Sequence, residues 1–95
     1  MRNTILLDPL TVTTTEQLAL LADVKRLIVI IANNSAAGKL YWSPIANRGQ
    51  NGFPIFPSTT QTFSPLLGDD PTKPFYLTSD QAGGIDIRIS YTIEV

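Results

Sequence analysis

The last eleven residues of the chain alternate strictly between apolar and polar side chains. The apolar positions of this segment include Ile85, Ile87, Ile89, Tyr91 and Ile93. Because successive side chains of a strand point to opposite faces, the alternation predicts a strand over residues 85–95 with one buried and one solvated face. Such a strand needs a sheet beside it and a second layer over its isoleucine face. We therefore expect this terminal strand to organise the fold.

A second apolar segment, residues 27–32, contains no polar interruption at all. A short apolar run bounded by turn signals is typical of a strand that is covered on both faces. Residues 33–38 then form a predicted loop, and residues 39–43 form the next predicted strand. We interpret these two strands as a hairpin.

Short β segments separated by turn signals account for the rest of the chain. We expect strands at residues 4–7, 10–15, 59–63 and 75–78, and an edge strand or covering segment at the proline-containing residues 53–57. Residues 16–22 fit either a strand or a short helix, and we favour the strand. Turn signals that recur every eight to twelve residues or so indicate an all-β fold. The prediction is a single domain over residues 1–95, an antiparallel β-sandwich or jelly-roll-like barrel of about seven to eight short strands.

The charge content limits the kinds of partner that we expect. Charged residues make up 16% of the chain, the formal net charge is −1, and histidine and cysteine are both absent. The few basic residues are scattered, which gives no electrostatic footprint for nucleic acid. No apolar run approaches the roughly 20 residues of a membrane helix. We therefore expect neither a nucleic acid nor a membrane as a partner.

Residues that could support catalysis or metal binding are scarce. General acid–base catalysis at neutral pH usually relies on histidine or on a tuned pair of carboxylates. Asp69 and Asp70 precede a proline, and we interpret them as a solvated turn, with a loose calcium site that includes Asp80 as the alternative. Residues 33–35 match a glycosylation sequon, but we interpret them as loop-forming residues. The sequence predicts no enzyme activity, no cofactor and no metal site.

Five residues are candidates for an interaction surface. Tyr41 and Trp42 point to opposite faces of a predicted strand, so we expect one in the core, and the other either buried as well or exposed as an anchor. Phe53 and Phe56 lie among prolines and either cover one end of the core or contact a neighbouring subunit. Arg48 lies in a loop of Gly, Asn and Gln, where a solvated side chain is the simplest interpretation.

Six blocks of sequence follow one another in a distinctive order. They are a threonine-rich strand (11–15), a basic corner leading to an aliphatic strand that ends in Asn-Asn (25–34), an aromatic strand (40–42), a Gly-Phe-Pro block (51–55), a second aromatic strand (74–77) and the segment Asp-Ile-Arg-Ile (86–89). In this order they resemble small β-sandwich proteins encoded among the virion genes of tailed bacteriophages. That family commonly has a glycine-bearing turn after the Gly-Phe-Pro block. Residues 56–59 lack this glycine, so we do not carry that turn over.

The resemblance implies a structural role on the virus particle, as a capsid decoration, a fibre or spike base, or a connector, and it brings no catalytic residues. We therefore expect a non-enzymatic virion structural protein that binds other capsid or tail subunits. We expect a symmetric homo-oligomer, with a trimer among the options. The alternative is a carbohydrate-binding module that uses Tyr41 or Trp42 as a stacking platform.

Overall fold

The computed structural model describes residues 1–94, which form nine β-strands and two short 3₁₀ turns. The strands are β1 (Arg2–Leu6), β2 (Leu10–Val12), β3 (Gln17–Leu20), β4 (Arg26–Asn33), β5 (Leu40–Ser43), β6 (Phe53–Ile55), β7 (Thr59–Phe63), β8 (Phe75–Ser79) and β9 (Ile85–Glu94). The 3₁₀ turns are Gly49–Asn51 and Pro65–Leu67. Val95, the last residue of the predicted terminal strand, lies outside the described residues. Across residues 1–94 we find no helix long and apolar enough to span a membrane.

The strands form two antiparallel sheets that face each other. In the first, here called the β9 sheet, β9 lies between β4 on one side and β1 and β2 on the other, and β7 pairs with the far side of β4. The second, the β8 sheet, has the order β3-β8-β5-β6. Because β1 and β2 follow one another along the same side of β9, the nine strands fill eight positions. The predicted all-β sandwich is confirmed.

The isoleucine face of β9 forms the centre of the core. Ile85, Ile87 and Ile89 are buried, whereas Tyr91 and Ile93 are half-buried. The three buried isoleucines belong to a single cluster of buried side chains from both sheets, and Tyr91 packs against this cluster. The other members of this cluster are Val12, Leu20, Val29, Ile31, Leu40, Ile55, Phe63, Phe75 and Leu77. The predicted alternation of β9 is therefore confirmed.

β4 departs from its prediction because only one of its faces is covered by the second sheet. Val29 and Ile31 point into the core, whereas Ile30 is exposed on the outer face between Ser90 of β9 and Thr62 of β7. A register shift between Arg26 and Ile28 also marks a bulge near the start of the strand. The expectation that both faces are covered is wrong, because the described residues provide no third layer over the outer face of the β9 sheet.

The predicted hairpin of β4 and β5 is also wrong, since the two strands belong to different sheets. The buried side chain of Asn33 directs the crossing between them. Its Nδ2 donates to the backbone oxygens of Gly38 (2.8 Å) and Ile55 (3.0 Å), and its Oδ1 accepts from the hydroxyl of Ser35 (2.8 Å). These bonds explain the loop residues and support the loop interpretation of the sequon, because the Asn33 amide is buried and fully engaged.

The ambiguous segment 16–22 contains the strand β3, so the favoured prediction is confirmed. β3 pairs antiparallel with β8, and its register shifts between Leu18 and Leu20. Leu20 is buried, whereas Leu18 is exposed, and Leu21 and Ala22, which gave the helical spacing, are exposed beyond the end of the strand.

Arg26 is buried at the start of β4 and joins three segments of the chain. Its guanidinium donates to the backbone oxygens of Leu21 (2.9 Å), Pro71 (2.7 Å) and Lys73 (2.7 Å). It also lies 5.6 Å from the ring centre of Tyr91. Burial lowers the pKa of Arg26, while the nearby Asp23 acts in the opposite direction. An arginine stays charged under such conditions, so three carbonyl groups stabilise a buried cation.

We expect Arg26→Ala to lower the free energy of unfolding by about 3 kcal/mol, because it leaves three carbonyl oxygens without their donor. Arg26→Lys should cost less but still be destabilising, since one ammonium group cannot reproduce the planar fork of donors. Urea unfolding of the purified variants measures both effects. Lys25→Ala, at the exposed neighbouring position, is the control and should change stability by less than about 0.5 kcal/mol. A loss below about 1 kcal/mol in Arg26→Ala would contradict this role.

Candidate functional site

Tyr41 and Trp42 lie on opposite faces of β5, as the sequence predicts. The ring of Trp42 points inward and packs against Phe53, Phe63 and Phe75, with ring centres 5.2, 4.6 and 5.6 Å away. Tyr41 lies on the outer face of the β8 sheet, opposite Pro54 and Thr78 of the neighbouring strands. Both side chains are half-buried. Trp42 is therefore an extension of the core, and Tyr41 is the one of the pair that faces outward.

Phe53 and Phe56 are the aromatic residues with the most solvent exposure. Phe53 is 63% exposed at the start of the edge strand β6, and one side of its ring covers Trp42. Phe56 is 54% exposed just beyond the other end of β6, where the ammonium group of Lys39 lies 5.6 Å from its ring centre. Each phenylalanine therefore leaves more than half of its side chain in solvent.

The loop of residues 44–52, which contains Arg48, is held in place by the carboxylate of Glu16. The backbone N–H groups of Asn47 (2.6 Å), Arg48 (3.1 Å) and Gly49 (3.1 Å) all donate to this carboxylate. Asn47 and Gly49 have positive φ angles of 67° and 52°, which turn successive amides toward one point. These hydrogen bonds lower the pKa of Glu16, with that from Asn47 contributing most.

The anchored loop places Arg48 and Phe53 at one shallow depression. Its volume is about 280 Å³, and Ile45, Arg48 and Phe53 contribute side chains to its lining. The loop can return this close to β5 because residue 52 is glycine: a Cβ atom there would lie 2.5 Å from the backbone oxygen of Trp42. The structure thus brings Arg48, Phe53 and Trp42 into one neighbourhood. Phe56 lies beyond the opposite end of β6, and Tyr41 faces the outside of the sheet.

A second depression, of about 200 Å³, lies on the other side of Trp42. Trp42, Phe63 and Phe75 line it together with Asp69, Asp70, Lys73 and three small or ring residues, Pro44, Gly68 and Pro74. It combines aromatic side chains with carboxylate and ammonium groups, which is the composition of small polar-ligand pockets, although its volume is below the range of most of them.

The two aspartates of this depression serve the turn in which they lie. Asp70 accepts hydrogen bonds from the hydroxyl and the backbone N–H of Thr72, and these bonds lower the pKa of Asp70. Asp69 accepts from the backbone N–H of Ser64 at 3.4 Å. Asp80 instead accepts from the backbone N–H of Lys39. Among the residues that the structure describes, no group of three or more His, Cys, Asp or Glu side chains could hold a metal ion.

Sequence reasoning did not identify the exposed leucines of the turn Pro65–Leu67. Leu66 is 98% exposed and Leu67 is 65% exposed. The available signal was an apolar pair between a proline and a glycine in a segment that is otherwise polar and turn-forming. Two leucines that neither strand nor helix periodicity explains are candidates for contact with another chain.

Three comparisons with known proteins gave no match: no family model, curated protein or solved structure matches this chain.

We expect Trp42→Ala to cost about 3 kcal/mol of unfolding free energy, because it removes a large ring that packs against three phenylalanines. Phe53→Ala should cost less than about 1 kcal/mol, since most of that ring is already in solvent. Thermal or urea unfolding checks both values. Equal losses in the two variants would contradict the assignment of Trp42 to the core and of Phe53 to the surface. Because of this difference, Phe53 is the better residue for testing binding.

The anchor at Glu16 predicts a dependence on pH. Because the pKa of Glu16 is lowered in the folded state, its contribution is fully present above the ordinary value of 4.5 and is lost as the pH falls through the lowered pKa. The free energy of unfolding should therefore fall more between pH 7 and pH 3 in the wild type than in Glu16→Gln. Urea unfolding at pH 7 and at pH 3 measures the difference, and an identical loss in both proteins would contradict it.

Proposed function

We propose that this chain is a non-enzymatic structural subunit of a virus particle that binds other capsid or tail subunits through the exposed side chains beside β6. The observation that carries the proposal is the position of Phe53 and Phe56. Both are more than half exposed: Phe53 is the first residue of the three-residue edge strand β6, and Phe56 follows its last residue. Neither belongs to the cluster of buried core side chains. Large aromatic side chains that remain in solvent are the usual anchors of protein interfaces.

The surroundings of Phe53 also suit an interface. Ile45 is exposed beside it, and Arg48 adds a charged group that can form planar hydrogen-bonded pairs with a partner's carboxylate. The loop that holds them is fixed by three backbone hydrogen bonds to Glu16. A fixed loop loses less conformational freedom on binding than a mobile one. The resemblance of the sequence to small β-sandwich proteins of tailed bacteriophages supports placing this surface on a virus particle.

The second candidate function is a carbohydrate-binding module, favoured by the depression beside Trp42 that also contains Asp69, Asp70 and Lys73. Sugar recognition combines a ring face for stacking with nearby polar groups for the hydroxyls. However, three phenylalanines surround the Trp42 ring. Tyr41 is separated from this depression, on the outer face of its sheet. We therefore rank this function below the subunit role.

The test is to look for the chain in virus particles purified by density gradient from the source that encodes it. Mass spectrometry should detect the chain at a fixed ratio to the major capsid protein. The double variant Phe53→Ser, Phe56→Ser should be incorporated at least tenfold less, because it removes both aromatic anchors. Val24→Ser is the matched control, since Val24 is 89% exposed in a turn that contains none of the candidate residues, and its incorporation should be unchanged.

A wild-type chain that stays free in the lysate and never copurifies with particles would overturn the virion role. The carbohydrate alternative is tested with a glycan array on the same purified protein. Specific glycan binding that Lys73→Ala weakens, and that the Phe53, Phe56 double variant does not, would support the binding module instead.

A further inference from the structure

The outer strands of the two sheets differ in how they are protected from pairing with another chain. Unpaired edges present free N–H and C=O groups, and proteins blunt them with charges, prolines, bulges or short strands. The edge formed by β1 and β2 is interrupted at Pro9 and carries Arg2, which forms an ion pair with Glu94. β3 contains a bulge, and β6 is three residues long and contains Pro54. Each of these edges thus carries at least one protective feature.

β7 carries none of these features. Its sequence, Thr-Thr-Gln-Thr-Phe, has no charge and no proline, and its register with β4 is unbroken over five pairs. Within residues 1–94, its backbone forms no hydrogen bond outside the ladder with β4. Alternate residues of an antiparallel edge strand direct their N–H and C=O groups away from the paired strand. β7 therefore presents an open, uncharged edge.

Exposed apolar side chains lie at both ends of this open edge. Phe56 comes three residues before β7 and is 54% exposed, while Leu66 and Leu67 follow it at 98% and 65%. Proteins normally cover an uncharged edge of this kind, because an exposed edge with apolar ends invites uncontrolled association with other chains.

We propose that β7 pairs with β7 of a second copy of this chain, antiparallel across a two-fold axis, so that the β9 sheets of two subunits become one continuous sheet. This inference deepens the proposed function, on which it rests, by naming a partner and a surface for self-assembly. It replaces the trimer with a dimer as the basic unit, because a strand that pairs with its own copy forms a closed two-fold contact.

A second copy fits this edge because the strand is complementary to itself. With Gln61 on the axis, Thr60 lies opposite Thr62 of the second copy, and cross-strand threonine pairs are favourable. No like charges meet, since the strand has none. The antiparallel arrangement also brings the Leu66 end of one subunit toward the Phe56 end of the other, so that apolar side chains exposed in the monomer cover one another.

The paired strands alone bury too little surface for a specific interface, so the proposed contact also includes the apolar residues at both ends of β7. A specific interface buries roughly 1,200–2,000 Å² in total, which five paired residues from each subunit do not reach alone. The side chains of Phe56, Leu66 and Leu67 on both subunits extend the contact beyond the paired strands. Backbone hydrogen bonds then supply the alignment, and the apolar ends supply most of the buried surface.

The test uses the full chain and introduces a charge at Gln61, which is exposed and would lie on the axis. Light scattering on the wild type should give twice the monomer mass. Gln61→Lys and Gln61→Glu, measured separately, should each weaken dimerisation at least tenfold, because like charges then meet. Mixing the two variants should restore the dimer. Asn3→Lys, which adds the same charge to the protected β1 edge, is the control and should stay dimeric.

Hydrogen exchange on the wild type gives a second measurement that needs no variant. Amides of residues 59–63 that face away from β4 should exchange more slowly as the protein concentration rises. A wild type that remains monomeric up to about 1 mM, a trimer, or a dimer that Gln61→Lys leaves intact would each overturn the pairing. A monomer that still enters particles would overturn this inference alone, whereas a charge-sensitive dimer that is absent from particles would overturn only the virion role.

Discussion

The burial of one face of β9 is the constraint on which the other strands depend. Ile85, Ile87 and Ile89 are buried, and each contributes roughly 2 kcal/mol by leaving water. A shift of one residue in the pairing would turn all of them to the outer face, so the register of β9 is strongly determined. β1, β2 and β4 all pair with β9, and their inward positions follow from that register. The β8 sheet completes the arrangement by covering this face.

Buried polar side chains determine how the chain crosses between the two sheets. Asn33 binds the segment that leaves β4, and Arg26 binds the segments after β3 and before β8. The hydroxyl of Ser79 donates to the backbone oxygen of Val12 at 2.7 Å, which joins the two sheets directly. Among the described residues, every buried side-chain nitrogen and oxygen has a hydrogen-bond partner. These bonds allow irregular backbone to lie against a small core without unsatisfied polar groups.

The sequence allowed prediction of the features that depend on local periodicity. The alternation of β9 and the prolines of β6 each predicted the right element, because burial of one face and the missing N–H of proline act within a few residues. The hairpin of β4 and β5 failed because strand partners are chosen by long-range packing, and a strong apolar run followed by a loop fits either outcome. Arg26 gave no signal, since its three acceptors are backbone oxygens, two of which lie 45 and 47 residues further along the chain. The sequence identified only part of the candidate surface. It pointed to Phe53 and Arg48, which share a depression. It did not point to Leu66 and Leu67, because they follow neither the strand nor the helix period.

The low charge of this chain affects how the edges of its sheets are protected. Natural sandwiches often protect their edges with lysine, and such protection is unnecessary where another chain covers the edge. Here the protective features occur on the edges formed by β1 with β2, β3 and β6, whereas β7 has only threonine, glutamine and phenylalanine. If the low charge content had no structural cause, all four sheet edges would be expected to lack protective features to a similar degree. Leu6, Leu21 and Val24 are exposed elsewhere on the molecule, but only at β7 do exposed apolar side chains flank an edge strand without a protective feature. This combination of an open backbone edge and apolar ends supports the proposed pairing of β7, because such an edge otherwise invites association with other chains.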